Sequence, residues 1–202
     1  MTGVVAALAR GAAVVLPNPY PLTSVVAATT AEAVNAAKGR PAGQAVALWL
    51  VGDGPWAELA AALDLDSRGL ALARHLLVEE RVTALLPITP AAPRWVLDAA
   101  REGFVLVFGS CWAPLRPLLT QPLRVSSANR TGHAPVADPA SARAEFPPEV
   151  HVLDAGDGHP SWGRRATTTL RLTRAGIEHV RPGAQCHARG GPAAYLAHLR
   201  IS

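Results

Sequence analysis

Lysine is almost missing from this chain. Of its nineteen lysine and arginine residues, the sequence shows one lysine, Lys38, and eighteen arginines. Cysteine is nearly absent too: Cys111 and Cys186 make no CxxC pair and no zinc-type spacing, which excludes a structural zinc motif. The seven histidines stand singly, and none pairs at the i, i+4 spacing of a helical metal site. Each reads as a surface or hydrogen-bonded histidine, and no tightly bound metal is expected. Long apolar runs are also missing. Residues 11–31 carry no charge, but Pro17, Pro19 and Pro21 break them before a membrane-spanning helix could form. The N-terminus lacks the basic segment of a signal peptide and places Arg10 where such a peptide is apolar. The expectation is a cytoplasmic protein with no membrane partner.

What is present is a large potential core. Half of the 202 residues are apolar and 17% are charged, so the chain is long and apolar enough for a globular fold, read here as one domain over residues 1–202. A net charge of +4 suits an anionic ligand such as a nucleotide, and fits RNA less specifically because the arginines form no run. The excess of alanine, arginine and proline follows compositional bias, which explains scarce lysine but not where the one lysine sits.

Along the chain, strands and helices alternate. Short apolar runs predict strands at 12–16, 24–28, 45–51, 81–87, 104–108, 122–126 and 150–154. Helices are expected over 2–10, from a capping box at Thr29 and Glu32 through Ala37, and over 55–63, 93–101, 114–119, 138–146 and from Pro192. Lys38 falls in the last turn of the second helix, with Gly39 as its stop. Residues 166–181 read as a hairpin turning at 174–176. The pattern is that of an α/β domain finished by an antiparallel element.

Three stretches could carry anion chemistry. Lys38-Gly39-Arg40-Pro41 puts two cations at a helix end. On the plain reading they complement the helix dipole, worth roughly 0.3–1 kcal/mol; on the sharper one, a point charge and a guanidinium fork converge on phosphates. Ser126-Ser127-Ala128-Asn129-Arg130-Thr131-Gly132 leaves a strand for a loop whose backbone N–H groups could approach an anion, or is an ordinary turn using Asn129 and Gly132. Thr167-Thr168-Thr169 and Arg181-Pro182-Gly183 add hydroxyls and a further cation, although threonine is common in strands anyway.

Taken in order, these stretches resemble the YrdC-type threonylcarbamoyl-AMP synthases, over about residues 4–185. Lys38 to Pro41 matches the family's K-x-R-P, Ser126 to Gly132 its S/T-S-A-N-x-S/T-G, Thr167-Thr168 its S-T pair, and "HVRPGA" its late I-L-R-P-G-A. Of P-G-P-x-T only Thr83 and the strand after it agree. The resemblance implies a twisted open mixed sheet flanked by helices, with a large concave cavity. It implies that ATP with Mg2+, bicarbonate and L-threonine give threonylcarbamoyl-adenylate and pyrophosphate, toward a modified tRNA adenosine. Lys38 and Arg40 would then neutralise phosphates as the catalytic cations, while Thr83, Ser126, Ser127, Asn129, Thr168 and Arg181 would bind the nucleotide. Such catalysis works by positioning and charge stabilisation and needs no protein nucleophile.

Two departures concern the other substrates. The family's P-T-x-T-x-Y-G-L loop, which holds threonine and carbonate, is here "LPNPYPLTSVV", so Asn18, Tyr20 and Thr23 stand in the acyl-substrate loop. Its alternate prolines predict an extended, rigid loop with few backbone donors. The family's strand arginine is missing from Phe108-Gly109-Ser110, and Glu79-Glu80 would repel phosphate unless turned away. Three readings follow: threonylcarbamoyl-AMP synthesis, a related carbamoyl-adenylate from another acyl substrate, or a non-catalytic homologue binding a nucleotide or RNA.

Overall fold

The computed structural model describes residues 2–50, 53–109, 121–155 and 158–201. The helix expected over 114–119 lies outside them. The chain folds into two compact units, each joining two separate stretches of sequence, and among the described residues they hold ten strands and eight helices.

The first unit uses the N-terminal fifty residues and the segment from 121 to 166. Its strands are β1 (Val14–Leu16), β2 (Val25–Ala28), β3 (Ala47–Trp49), β7 (Leu123–Ser127) and β8 (His151–Val152). They run in the order β3-β7-β2-β1-β8, antiparallel except for the parallel pair β1 and β8. Every residue of β1 and β2 is buried, so these strands read as continuous apolar runs rather than alternating ones. Helices α1 (Thr2–Ala9), α2 (Ala31–Ala37) and α6 (Pro139–Glu145) pack on this sheet. Val15, Val26, Val34, Ala128, Val136 and Phe146 are among the side chains of its core.

The second unit uses the segment from 53 to 109 and everything from Thr167 onward. Its strands are β4 (Thr83–Pro87), β5 (Ala100–Arg101), β6 (Phe104–Phe108), β9 (Thr169–Thr173) and β10 (Gly176–Arg181), in the order β10-β9-β4-β6 with β5 added to β6. Strand β9 runs parallel to β4 and antiparallel to β10. The helices are α3 (Asp53–Ala62), α4 (Ser67–Val78), α5 (Arg94–Leu97), α7 (Ala184–Ala188) and α8 (Pro192–Ile201).

Most expected elements are present, and four differ. The second helix is capped by Thr30, whose side chain accepts from the Ala33 N–H, rather than by Thr29. The helix expected over 93–101 stops at Leu97, because Ala100-Arg101 turns back through Glu102 and Gly103, both at positive φ, to pair with β6. Helices α4 and α7 carry no sequence expectation. The first opens on Asp66, which accepts from the Gly69 N–H, and buries Ala73, Leu76 and Leu77. Gly109, just after β6, is closely surrounded: a β-carbon there would come within 2.5 Å of the Leu77 carbonyl oxygen and 2.7 Å of that of Val82. Only glycine fits this approach.

Candidate anion-binding site

The site of the first unit is built on the C-terminus of α2. Gly39 adopts φ +63°, its N–H donates to the Ala36 carbonyl, and the Arg40 N–H donates to that of Asn35. This pair of bonds is a Schellman cap, which needs a residue able to take the left-handed conformation between the two cations. The cap fixes Lys38 and Arg40 as the groups flanking one glycine. Asn35 reinforces it from inside. Fully buried, it donates to the Ala42 and Gln44 carbonyls and accepts from Arg40 Nε.

Lys38 and the loop after β7 form one closed network. The Lys38 ammonium donates to the Ser127 carbonyl at 2.5 Å, the Asn129 carbonyl at 2.6 Å and Asn129 Oδ1 at 3.0 Å. In return the Lys38 carbonyl accepts from both the N–H and the hydroxyl of Thr131. Ser127 Oγ donates to Asn129 Oδ1, and Asn129 Nδ2 donates to the carbonyls of Arg130 and His133. Lys38 is 3% exposed, and burial first, then the Arg40 charge, lowers its pKa to about 8, with Glu145 opposing.

The loop's backbone donors are directed inward, which corrects the expectation of free N–H groups facing an anion. The Ala128 N–H goes to Ser24, Asn129 to Ser127, Thr131 to Lys38 and His133 to Arg130, each to a carbonyl oxygen. The Arg130 N–H goes to Glu145 Oε1, whose carboxylate also meets His133 Nδ1. That contact with His133 is the main cause holding the Glu145 carboxyl below its usual range.

Two cationic forks remain beside the cap. Arg40 Nη2 is buried and has no hydrogen-bond partner among the described residues. Burial lowers its pKa. The Arg130 guanidinium lies over Gly39, with Nη2 at 3.6 Å from where a β-carbon would stand. Ser126, next to the loop, is half-buried on β7 opposite Val26.

The loop of Asn18, Tyr20 and Thr23 curls back on itself instead of running extended. Asn18 Nδ2 donates to the Thr23 carbonyl, and the Leu22 N–H donates to that of Pro19. Arg164 Nη1 bridges the Asn18 and Leu22 carbonyls, and Arg165 exchanges backbone bonds with Pro21 and Thr23. Asn18 and Thr23 are thereby buried, whereas Tyr20 stays partly exposed, stacked on His159 with Arg164 over its ring.

In the second unit, Thr83 and Thr168 are held by one another's neighbourhood. Thr83 Oγ1 and Thr167 Oγ1 are 2.6 Å apart, and Thr168 Oγ1 accepts from the Cys186 N–H at the start of α7. Gln185 accepts from the Thr168 N–H and donates to the carbonyls of Glu80 and Arg81. Arg181 ends β10, exposed. Glu80 turns inward to accept from the Tyr195 hydroxyl, while Glu79 is exposed.

The sequence placed Lys38, Arg40, Ser127 and Asn129 in one site, and the first unit brings all four together. The sequence held Arg130 only as the variable position of the motif and assigned no role to Asn35, His133, Glu145 or Arg164. Of these four, Asn35 alone had a local signal, as a polar residue one turn before Lys38 on a helix otherwise rich in alanine.

No described protein family matches the sequence, and no curated protein does. Solved structures do match in fold. P. abyssi Sua5, solved with L-threonine, superposes with a TM-score of 0.69 at 18% identity over 89% of this chain and 53% of its own. The present chain thus spans about half the length of that protein. E. coli YciO gives 0.66 at 20% identity over 96% of this chain and 91% of its own. HypF in a phosphate- and nucleotide-bound form gives 0.66 at 16% identity, over 90% of this chain and 28% of its own. Among the described residues no helix is long and apolar enough to cross a membrane. The fold is an open mixed α/β architecture of the YrdC-like kind, shared with Sua5 and YciO.

Proposed function

We propose that this chain binds a nucleoside triphosphate, ATP with Mg2+ as its substrate complex, with the phosphates at the α2 cap and the Ser126–Asn129 loop. There it forms threonylcarbamoyl-adenylate or a near variant. One observation carries the reading: residues 89 and 91 positions from Lys38 build a single network around it, beside a buried Arg40 Nη2 that has no partner among the described residues. A buried guanidinium nitrogen without a partner is costly, and an anion's oxygen relieves that cost. The solved neighbours support the ligand classes, one carrying L-threonine and another phosphate and nucleotide.

In the proposed reaction the threonine nitrogen bonds to the bicarbonate carbon and water leaves. A carboxylate oxygen of the resulting carbamate then attacks the α-phosphorus, and pyrophosphate departs. The chain's contribution is to fix the phosphates and stabilise charge on the leaving pyrophosphate, the part that preorganised cations perform best. Incubation with Mg-ATP, bicarbonate and L-threonine should release pyrophosphate. No release with threonine or with a panel of other amino acids, together with no ATP binding, would end this reading.

A second reading has its own support. The loop of Asn18, Tyr20 and Thr23 has spent its side-chain amide and much of its backbone on itself and on Arg164-Arg165. Such a loop suits a different acyl substrate, or a homologue that binds a nucleotide or RNA without turnover. RNA affinity that falls steeply with salt, in the absence of turnover, distinguishes the last case.

A further inference from the structure

An ammonium group has three hydrogens to donate, and those of Lys38 face three oxygens at 2.5, 2.6 and 3.0 Å. To reach a phosphate, Lys38 would have to give up its bonds to the Ser127 and Asn129 carbonyls and to Asn129 Oδ1. The Ser127 carbonyl would keep the Asn129 N–H and Asn129 Oδ1 the Ser127 hydroxyl, but the tie between the helix cap and the turn through the ammonium would be lost. The rest of the loop offers little to an anion either. The N–H groups of Ala128, Asn129, Arg130, Thr131 and His133 are bonded within the unit, as are the hydroxyls of Ser127 and Thr131.

The guanidinium groups are placed differently. Arg40 donates through Nε to Asn35, and its buried Nη2 has no partner among the described residues. Arg130 is exposed, its guanidinium lies 3.6 Å from the missing β-carbon of Gly39, and no hydrogen bond to it is found among the described residues. Both flank the same glycine, and a guanidinium can present two parallel N–H donors to the oxygens of one phosphate.

We infer that Lys38 is a positioning residue whose ammonium holds the Ser127–Asn129 turn in shape, and that Arg40 and Arg130 are the groups that contact the anionic ligand. This rests on the proposed nucleotide site and reassigns the roles within it. Arg130 occupies the variable position of the motif.

The lone lysine makes the test direct, because labelling lysine with 15N yields one ammonium signal. With pyrophosphate or ATP as the probe, that signal should stay in place at saturation. Arg130→Gln should weaken pyrophosphate binding tenfold or more and leave amide exchange over 128–133 as in the wild type, with Arg130→Lys recovering part of the affinity. Lys38→Met should accelerate exchange of the 129–131 amides at least tenfold with no ligand present. A Lys38 signal that shifts on ligand addition, together with Arg130→Gln binding as tightly as wild type, overturns the inference and leaves the nucleotide site standing. If the wild type binds neither probe, the anion-contact half falls with the proposed function. Unchanged exchange in Lys38→Met overturns the positioning half on its own.

Discussion

Thr131 donates twice to the carbonyl oxygen of Lys38, through its N–H at 3.1 Å and its hydroxyl at 3.2 Å. The helix cap and the loop after β7 are therefore joined through main chain as well as through the ammonium. Gly39→Ala should disturb both. Forcing an alanine into φ +63° costs roughly 1–2 kcal/mol, and any relaxation moves the Lys38 carbonyl away from Thr131. A lowered denaturation midpoint with faster exchange at the Thr131 amide is the expected result.

The depressed pKa of Lys38 has a definite sign in stability. Its pKa falls from 10.5 in the unfolded chain to about 8 in the folded one, so between these values the unfolded state holds more protons. Stability contributed by this group rises with pH through that window, and below about pH 8 the charged form is penalised by burial. The charged neighbours are Arg40, which pushes in the same direction, and Glu145, which opposes it. Comparing wild type with Lys38→Met between pH 7 and 10 checks this. The wild type should gain on the variant as pH increases.

Glu145 works in the opposite range. Its carboxyl lies below the ordinary 4.5 chiefly because of the His133 contact, so its contribution is present above that value and lost as pH falls through the lower folded one. Glu145→Gln should loosen the Arg130 amide at neutral pH and remove this acid-dependent step. Amide exchange followed from pH 6 to 3 measures both.

Thr168→Val separates a structural hydroxyl from a ligand-binding one. The hydroxyl accepts from the Cys186 N–H, so its loss leaves a buried donor of α7 unpaired, at a cost of about 1–3 kcal/mol. The expected outcome is a destabilised second unit, read by urea unfolding and by exchange at Cys186.

Much of this was legible in the chain. The alternation of apolar runs with capped helices gave the α/β class, and a proline after Asp138 or a glycine after Lys38 fixed helix ends because capping is local chemistry. What failed locally has a physical cause. Ala100-Arg101 looks helical by composition, but pairing with β6 outweighs that weak preference. The proline loop looked extended, yet Arg164, far away in sequence, supplied the bonds that curl it.

The sequence by itself determined which residue types could meet an anion: one lysine, an arginine after a glycine, and a serine–asparagine turn. Only the tertiary structure decided what each does. Whether a donor is free depends on which oxygens lie within about 3 Å of it, and those oxygens come from residues up to 93 positions away. Spacing along the chain cannot show that the ammonium is already satisfied while, among the described residues, a guanidinium nitrogen of Arg40 is not.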